Sequence, residues 1–253
     1  MAEPKLSILL PIRSVGIDLR ILLQIMQAVL EIPHEILVVV EPQHRTIIGE
    51  LDYPHLRLIM SNPGVVDAIR TGVAHAEGKY VLIFAADEVG PVLAINDMLS
   101  LAEDGCEFVS CTRYAHGGRR LGGSLVAGFL SWLANWLFHH LAGCHLTDAT
   151  TGIKLFRRDV FDRLPLEARP VGWAAAFEMS IKAQMAGLKL GEVPIISIDR
   201  LYGGESHFAL LPWIREYLRW FIWGIIHLPR ERSASIQIRV PTAASLLGEY
   251  PEK

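Results

Sequence analysis

Four short apolar runs set the first limit on what this chain can fold into: Lys5–Pro11 (KLSILLP), Glu35–Val40 (EILVVV), Leu56–Met60 (LRLIM) and Lys79–Phe84 (KYVLIF). Each has the length of a buried strand, and the second is strongly β-branched. Between them, apolar residues return at helical spacing, from about Leu19 to Glu31 and again at Val65, Ile69, Val73 and Ala76, where Gly78 is placed to end the helix. Strand and helix in alternation predict an α/β fold with a mostly parallel, Rossmann-like sheet flanked by helices on both faces.

The alternation continues. A helix is expected to about Ala102, then a strand at Glu107–Cys111, a short strand at Ile153–Phe156, a helix from Asp159 and another at Ala174–Ala186. That last helix carries Glu178 and Lys182 four residues apart and is capped by Gly187. A late strand, Gly191–Ile198, contains Pro194, which suggests an edge or bulge. No internal repeat is present. With 253 residues, 51% of them hydrophobic, the expected organisation is a single domain over residues 1–230 and a weakly ordered tail over 231–253.

Composition excludes some functions. A net charge of -3 gives no basic field for nucleic acid, and the three cysteines, Cys106, Cys111 and Cys144, form no disulfide framework, which fits a reducing cytoplasm. No G-x-G-x-x-G follows the first strand, which disfavours a dinucleotide-binding dehydrogenase. The mean hydropathy of +0.31 is high, and two segments account for much of it. Leu121–Thr147 lacks any Asp, Glu, Lys or Arg, yet Ser124, Ser131, Asn135 and His139 form a polar stripe on one helical face. Phe208–Leu228 combines Trp213, Tyr217, Trp220 and Trp223 with Arg215 and Arg219, a mixture suited to a lipid headgroup boundary. The reading is of two amphipathic, membrane-facing helices, at about 121–141 and 208–228, on a protein peripheral to the inner face of the membrane.

The chemistry starts at Asp87 and Glu88, adjacent carboxylates where the fourth run ends. In open parallel sheets ligands bind beyond the carboxyl ends of the strands, and carboxylates held there can ligate a hard cation that neutralises a diphosphate. Further along stand, in order, Thr112–Tyr114 (TRY), Asp148–Arg158 (DATTGIKLFRR), Gly191–Ile195 (GEVPI) and Asp199–Phe208 (DRLYGGESHF). This ordered set resembles the family 2 glycosyltransferases, in particular the dolichyl-phosphate mannose synthase-like branch, and the resemblance covers roughly residues 5–225.

The resemblance implies a GT-A fold and a cell-envelope enzyme. It would transfer a sugar from a nucleotide-sugar donor, with Mg2+ or Mn2+, to a membrane lipid or lipid-linked acceptor such as a polyprenyl phosphate. It further implies Asp87 as metal-binding acid with Glu88 beside it, Asp148 as active-site acid, and Arg113, Arg200 and Ser206 as phosphate contacts. The chain departs from the pattern at Val40-Glu41-Pro42-Gln43, where Glu41 alone remains to accept from a ribose hydroxyl. It departs again at Ile12-Arg13-Ser14-Val15 and at Ala85-Ala86-Asp87, where the first acid of the metal motif is an alanine. On an extended chain Glu88 would point away from Asp87. The alternative function is therefore a catalytically silent binding or scaffold relative.

Overall fold

The structure, a computed structural model, describes residues 4–12, 17–44, 53–86, 88–122, 125–169, 171–198, 210–228 and 236–240. Within them β1 (Leu6–Ile12), β2 (His34–Val40), β3 (Leu56–Met60), β4 (Tyr80–Ile83), β5 (Phe108–Thr112), β7 (Lys154–Arg157), β8 (Leu190–Pro194) and β10 (Gln237–Ile238) make one eight-stranded sheet. Its order is β10-β8-β5-β7-β4-β1-β2-β3, and a separate ribbon pairs β6 (Arg119–Leu121) with β9 (Ile196–Ile198). β7 runs antiparallel to both of its neighbours; the other pairings are parallel. The helices are α1 (Ile17–Val29), α2 (Val65–His75), α3 (Ile95–Glu103), α4 (Leu125–Leu141), α5 (Ala174–Met185) and α6 (Leu210–His227).

The apolar runs lack polar alternation because both faces of the sheet are covered. Leu9, Leu37, Val39 and Ile83 belong to the core that takes in Val65 and Ile69 of α2, Phe138 of α4, Phe177 of α5 and Trp220 of α6. Their neighbours Ile8, Leu10, Ile36, Val38 and Leu82 face the opposite core, with Leu22 and Met26 of α1 and Met98 of α3. Each such side chain stabilises the fold by about 1.5–3 kcal/mol on burial. From β1 the chain steps outward through β2 and β3, then crosses back to β4 on the other side of β1. That reversal opens a crevice at the carboxyl ends of β1 and β4.

Several expectations need correction. Helix α2 ends at His75 without Gly78, whose Cβ would lie 2.7 Å from the Ser7 backbone nitrogen. Gly78 instead lets the chain press on β1, where its N–H donates to Ser7 Oγ at 2.8 Å, and Ser7 Oγ donates to Glu35 at 2.6 Å. The helix expected from Asp159 is a 3-10 turn, Arg158–Arg163. The late strand breaks after Pro194 into β8 and β9, and the true edge is β10, drawn from the tail: Gln237 and Ile238 extend the sheet beside β8, and Arg239 pairs with Asp104 at 2.6 Å. Glu178 and Lys182 do pair, at 2.6 Å, but in the interior.

Both apolar helices lie against the domain, and among the described residues no helix is long and apolar enough to cross a membrane. The polar stripe of α4 faces inward: Asn135 is buried, and Ser131 accepts a hydrogen bond from Tyr114 Oη at 2.8 Å. Its apolar side, with Leu125, Phe129 (58% exposed), Trp132 and Trp136, faces outward. In α6 the expectation fails for Trp220, while Trp223 is half-buried and the Trp213 side chain lies outside the described residues. Trp220 is 1% exposed and donates its indole N–H to the buried Glu216 at 3.1 Å, while the outward row is Ile214, Leu218, Ile222 and Ile226. The two helices meet at Gly224, where a Cβ would come within 2.4 Å of the Phe138 ring.

Candidate active site

The carboxyl edge of the sheet collects four of the expected residues; Asp87, Arg200 and Ser206 lie outside the described residues. Just beyond β2, Glu41 accepts from Gly64 N–H at 3.3 Å and from Gln43 Nε2 at 2.9 Å. It borders a shallow depression lined by Pro11, Ile12, Val39, Ser61, Gly64, Val65 and Ala68, directly before the first turn of α2. Ser61, 7% exposed, has no hydrogen-bond partner for its hydroxyl among the described residues. A polar hydroxyl left open at a helix start suits a small polar ligand. The sequence offered no motif for Ser61.

On the other side of β1 the chain leaves β4 through a turn closed by Glu88 N–H donating to Ala85 O at 3.1 Å. Glu88 therefore follows a turn and not a continuous strand. Glu88 comes close enough to Arg113 for its charge to favour the guanidinium. Carboxylate oxygens of this kind suit Mg2+ or Mn2+, though no three His, Cys, Asp or Glu side chains converge among the described residues.

Because β7 is antiparallel, the segment that precedes it, Thr147–Ile153, starts at the same edge and delivers Asp148 beside the end of β5. Asp148 is fully buried and clasped by Arg113: Nε donates to Oδ2 at 2.7 Å, Nη2 to Oδ1 at 3.0 Å and the Arg113 backbone N–H to Oδ2 at 3.1 Å. Thr150 adds its hydroxyl at 3.1 Å and its N–H at 3.3 Å. Burial alone would raise the Asp148 pKa, but the Arg113 charge and hydrogen bonds outweigh it and hold the carboxyl below its ordinary range. Burial likewise disfavours the Arg113 cation, and Asp148 reverses that, raising its pKa.

This geometry does not suit Asp148 to act as a proton acceptor. A carboxylate with both oxygens occupied and a depressed pKa is a poor base; it is well suited to fix a permanent cation. Arg113, with 15% of its side chain exposed, retains an outward face and lies 5.1 Å from the Tyr114 ring centroid. Around the pair, Asn135 of α4 accepts from Ala149 N–H and donates to Thr150 Oγ1, each at 2.9 Å. Gly152 is small by necessity, since the Trp173 indole lies 2.8 Å from where its Cβ would be. Asn135 was visible beforehand as one member of a polar stripe; Lys154 and Glu192 sat inside motif runs without an assigned role, and Thr147 closed the apolar segment just before one.

The model of the family described as "Glycosyl transferase family 2" matches residues 22–164, more than half of the chain. The chain belongs to glycosyl transferase family 2. Solved structures agree on the fold of this family 2 glycosyltransferase. One is glucosyl-3-phosphoglycerate synthase from Mycobacterium tuberculosis in complex with Mn2+, UDP and glucosyl-3-phosphoglycerate, at 16% identity and TM-score 0.66 over 90% of this chain and 81% of that one. The same enzyme with Mn2+, UDP-glucose and phosphoglyceric acid gives 16% identity and TM-score 0.63 over the same shares. Its complex with Mg2+ and UDP gives 16% and 0.64, again over 90% and 81%. The mostly parallel sheet flanked by helices is thus the GT-A fold.

Proposed function

We propose that the protein transfers a sugar from a nucleotide-sugar donor to a lipid-linked acceptor of the polyprenyl phosphate class, at the inner face of a membrane, with residues 1–230 as its single catalytic domain. The observation that carries this reading is the Asp148-fixed Arg113 beside Glu88, at the carboxyl edge of the sheet in a family 2 chain. Departure of a nucleoside diphosphate develops negative charge on the leaving oxygens, and a cation held rigidly in a partly dry site stabilises it without reorganising. In this reading Asp87 and Glu88 hold Mg2+ or Mn2+, which when bound supplies further positive charge to the diphosphate. The solved relatives bound to Mn2+ or Mg2+ with UDP support that choice of ion. In this reading Glu41 and Ser61, at the rim of the shallow depression before α2, offer polar contacts to the donor, and Arg200 and Ser206 complete the phosphate contacts.

The buried state of Asp148 bears on the acceptor. A hydroxyl acceptor needs a base at the moment of attack, whereas a phosphate acceptor is already ionised at neutral pH. A site whose central carboxylate is locked onto an arginine favours the second. The outward apolar rows of α4 and α6 give a lipid-bearing acceptor a surface to approach along. The reading is tested by calorimetry with UDP-, GDP-, CDP- and TDP-sugars in the presence of Mn2+. One of them should bind saturably and lose affinity in Asp87→Ala; absence of heat from all four would leave the catalytically silent scaffold.

A further inference from the structure

Three charged or polar side chains, none of them placed in the catalytic scheme above, lie in a single row across the sheet. In the registers of β7, β5 and β8, Lys154 is opposite Ser110 and Ser110 is opposite Glu192. Residues aligned across neighbouring strands share a face, and all three are completely buried. Lys154 and Glu192 are thus charges at the centre of an otherwise apolar sheet, an arrangement that persists only where close partners offset the desolvation.

Those partners are the backbone of the segment that carries Asp148. Glu192 Oε1 accepts the N–H groups of Thr147 at 2.8 Å and Asp148 at 3.2 Å, and Oε2 accepts the Thr147 hydroxyl at 2.9 Å. At the carbonyl side the polarity reverses. Lys154 Nζ donates to Ala149 O at 3.3 Å and to Ser110 Oγ at 2.8 Å, and Ser110 Oγ lies 3.3 Å from Asp148 O. The row therefore presents a carboxylate to the segment's donors and an ammonium and a hydroxyl to its acceptors.

The same carboxylate also reaches Arg113. Since Thr147 spends its hydroxyl proton on Glu192, it accepts from Thr112 Oγ1, 2.7 Å away. Thr112 Oγ1 in turn accepts the N–H groups of Tyr114 at 3.1 Å and Ala115 at 3.2 Å, which shapes the turn holding Arg113. Every hydrogen in this chain points toward Glu192. Both ends of the Arg113–Asp148 pair are tied to one buried side chain.

We infer that Glu192 and Lys154 are positioning residues, which set the backbone of Thr147–Thr150 and so hold the Arg113 guanidinium at the angle the reaction requires. The inference rests on the transferase reading given above. Glu192 is faced by Asp148, Lys154 and Cys144. Burial pushes its pKa up to about 7, against the hydrogen bonds from Thr147 and Asp148, so the acceptor form is available at neutral pH and above.

The test uses the full chain and two variants. Glu192→Gln replaces one acceptor oxygen with a donor, and Thr147→Val removes only the hydroxyl that joins Glu192 to Thr112. Steady-state transfer from UDP-glucose with Mn2+ to farnesyl phosphate is measured together with amide hydrogen exchange. Both variants should lose kcat by roughly 10- to 100-fold, as small misplacements of a catalytic group do, with KM for UDP-glucose changed less than about threefold. Exchange should quicken at Thr147–Thr150 but not at Leu9 or Leu37. Unchanged kcat in a folded variant, or a loss carried by KM alone, overturns the inference. If wild type turns over neither this nor any other donor, the transferase reading falls, and exchange decides alone: selective loss of protection supports the platform, and unchanged protection removes it. Should Glu192→Gln fail to fold, Thr147→Val carries both readouts.

Discussion

Replacing Asp148 by asparagine isolates the interaction on which the site is built. The fully buried carboxylate accepts three hydrogen bonds from Arg113 and two from Thr150. An amide keeps one oxygen, which can still serve Thr150 and Arg113 Nη2, but turns an NH2 toward two Arg113 donors and leaves the guanidinium without its counter-charge. Breaking a buried pair by removing one partner costs roughly 3–5 kcal/mol, against a total stability on the order of 5–15 kcal/mol. For a chain of this size that corresponds to a fall in Tm of roughly 6 to 20 °C. Urea unfolding of wild type, Asp148→Asn, Arg113→Met and the double variant closes a cycle. The double variant should lose less than the sum of the singles by about 1–3 kcal/mol. The gap between wild type and Asp148→Asn should also narrow in acid. A carboxylate whose folded pKa is depressed contributes stability above its unfolded value and loses it as the pH falls through the folded one. A cost below about 1 kcal/mol, or strict additivity, would show that the pair is a surface-like contact and that Arg113 is held by something else.

The remaining expectations concern packing and the outer face. Phe129→Ser combined with Ile222→Ser should reduce sedimentation with phosphatidylglycerol vesicles while leaving the Tm nearly unchanged, since both side chains point outward; an undiminished pellet fraction would remove the membrane assignment. Trp220→Ala should instead act on stability, costing about 3–5 kcal/mol in urea unfolding, because the indole is enclosed and hydrogen-bonded to Glu216. Gly78→Ala should cost about 1–3 kcal/mol, since its Cβ would meet the backbone of Leu6 and Ser7 as well as the Ser7 hydroxyl; a neutral result would contradict that close approach.

The sheet was largely legible because its strands are buried on both faces, which leaves unmistakable apolar runs such as EILVVV. Parallel register, flanking helices and the edge that binds ligands all follow from that pattern. What escaped were features fixed by distant contacts. Gly78 reads locally as a helix stop, yet its role is set by Ser7 and Glu35 on neighbouring strands. β10 is two residues of unremarkable sequence and exists because β8 offered an unpaired edge. At the site, Glu88 stands beside Asp87 as a metal-binding candidate although a fully extended chain would carry it away, and its N–H bond to Ala85 O shows a turn that the sequence did not announce. Asp148 was located by its motif, but its chemistry was not legible, because a pKa depends on who surrounds the group. Arg113 is 35 residues away in sequence and 2.7 Å away in space.

The helix α4 shows why a helical pattern alone does not say which face looks where. In a soluble protein the apolar stripe turns inward and the polar one outward, and α4 does the reverse: Ser131 and Asn135 serve the Tyr114 and Asp148 loops, while Phe129, Trp132 and Trp136 line the outside. A polar side chain turned inward has to be satisfied, and Asn135 is, since it uses its oxygen on Ala149 and its amide on Thr150 and on Ser131 O at 2.9 Å. Burial of Asn135 is therefore explained by the site it braces. The outward apolar face receives no such explanation from the domain itself, and exposed ring and aliphatic surface in water is unfavourable by about 25 cal/mol per Å2. A sequence that keeps both features on one helix makes polar contacts to the candidate-site loop beneath and leaves an apolar face above. On the transferase reading proposed above, the inner side braces the Asp148 loop and the outer side offers the lipid tail of the acceptor a surface.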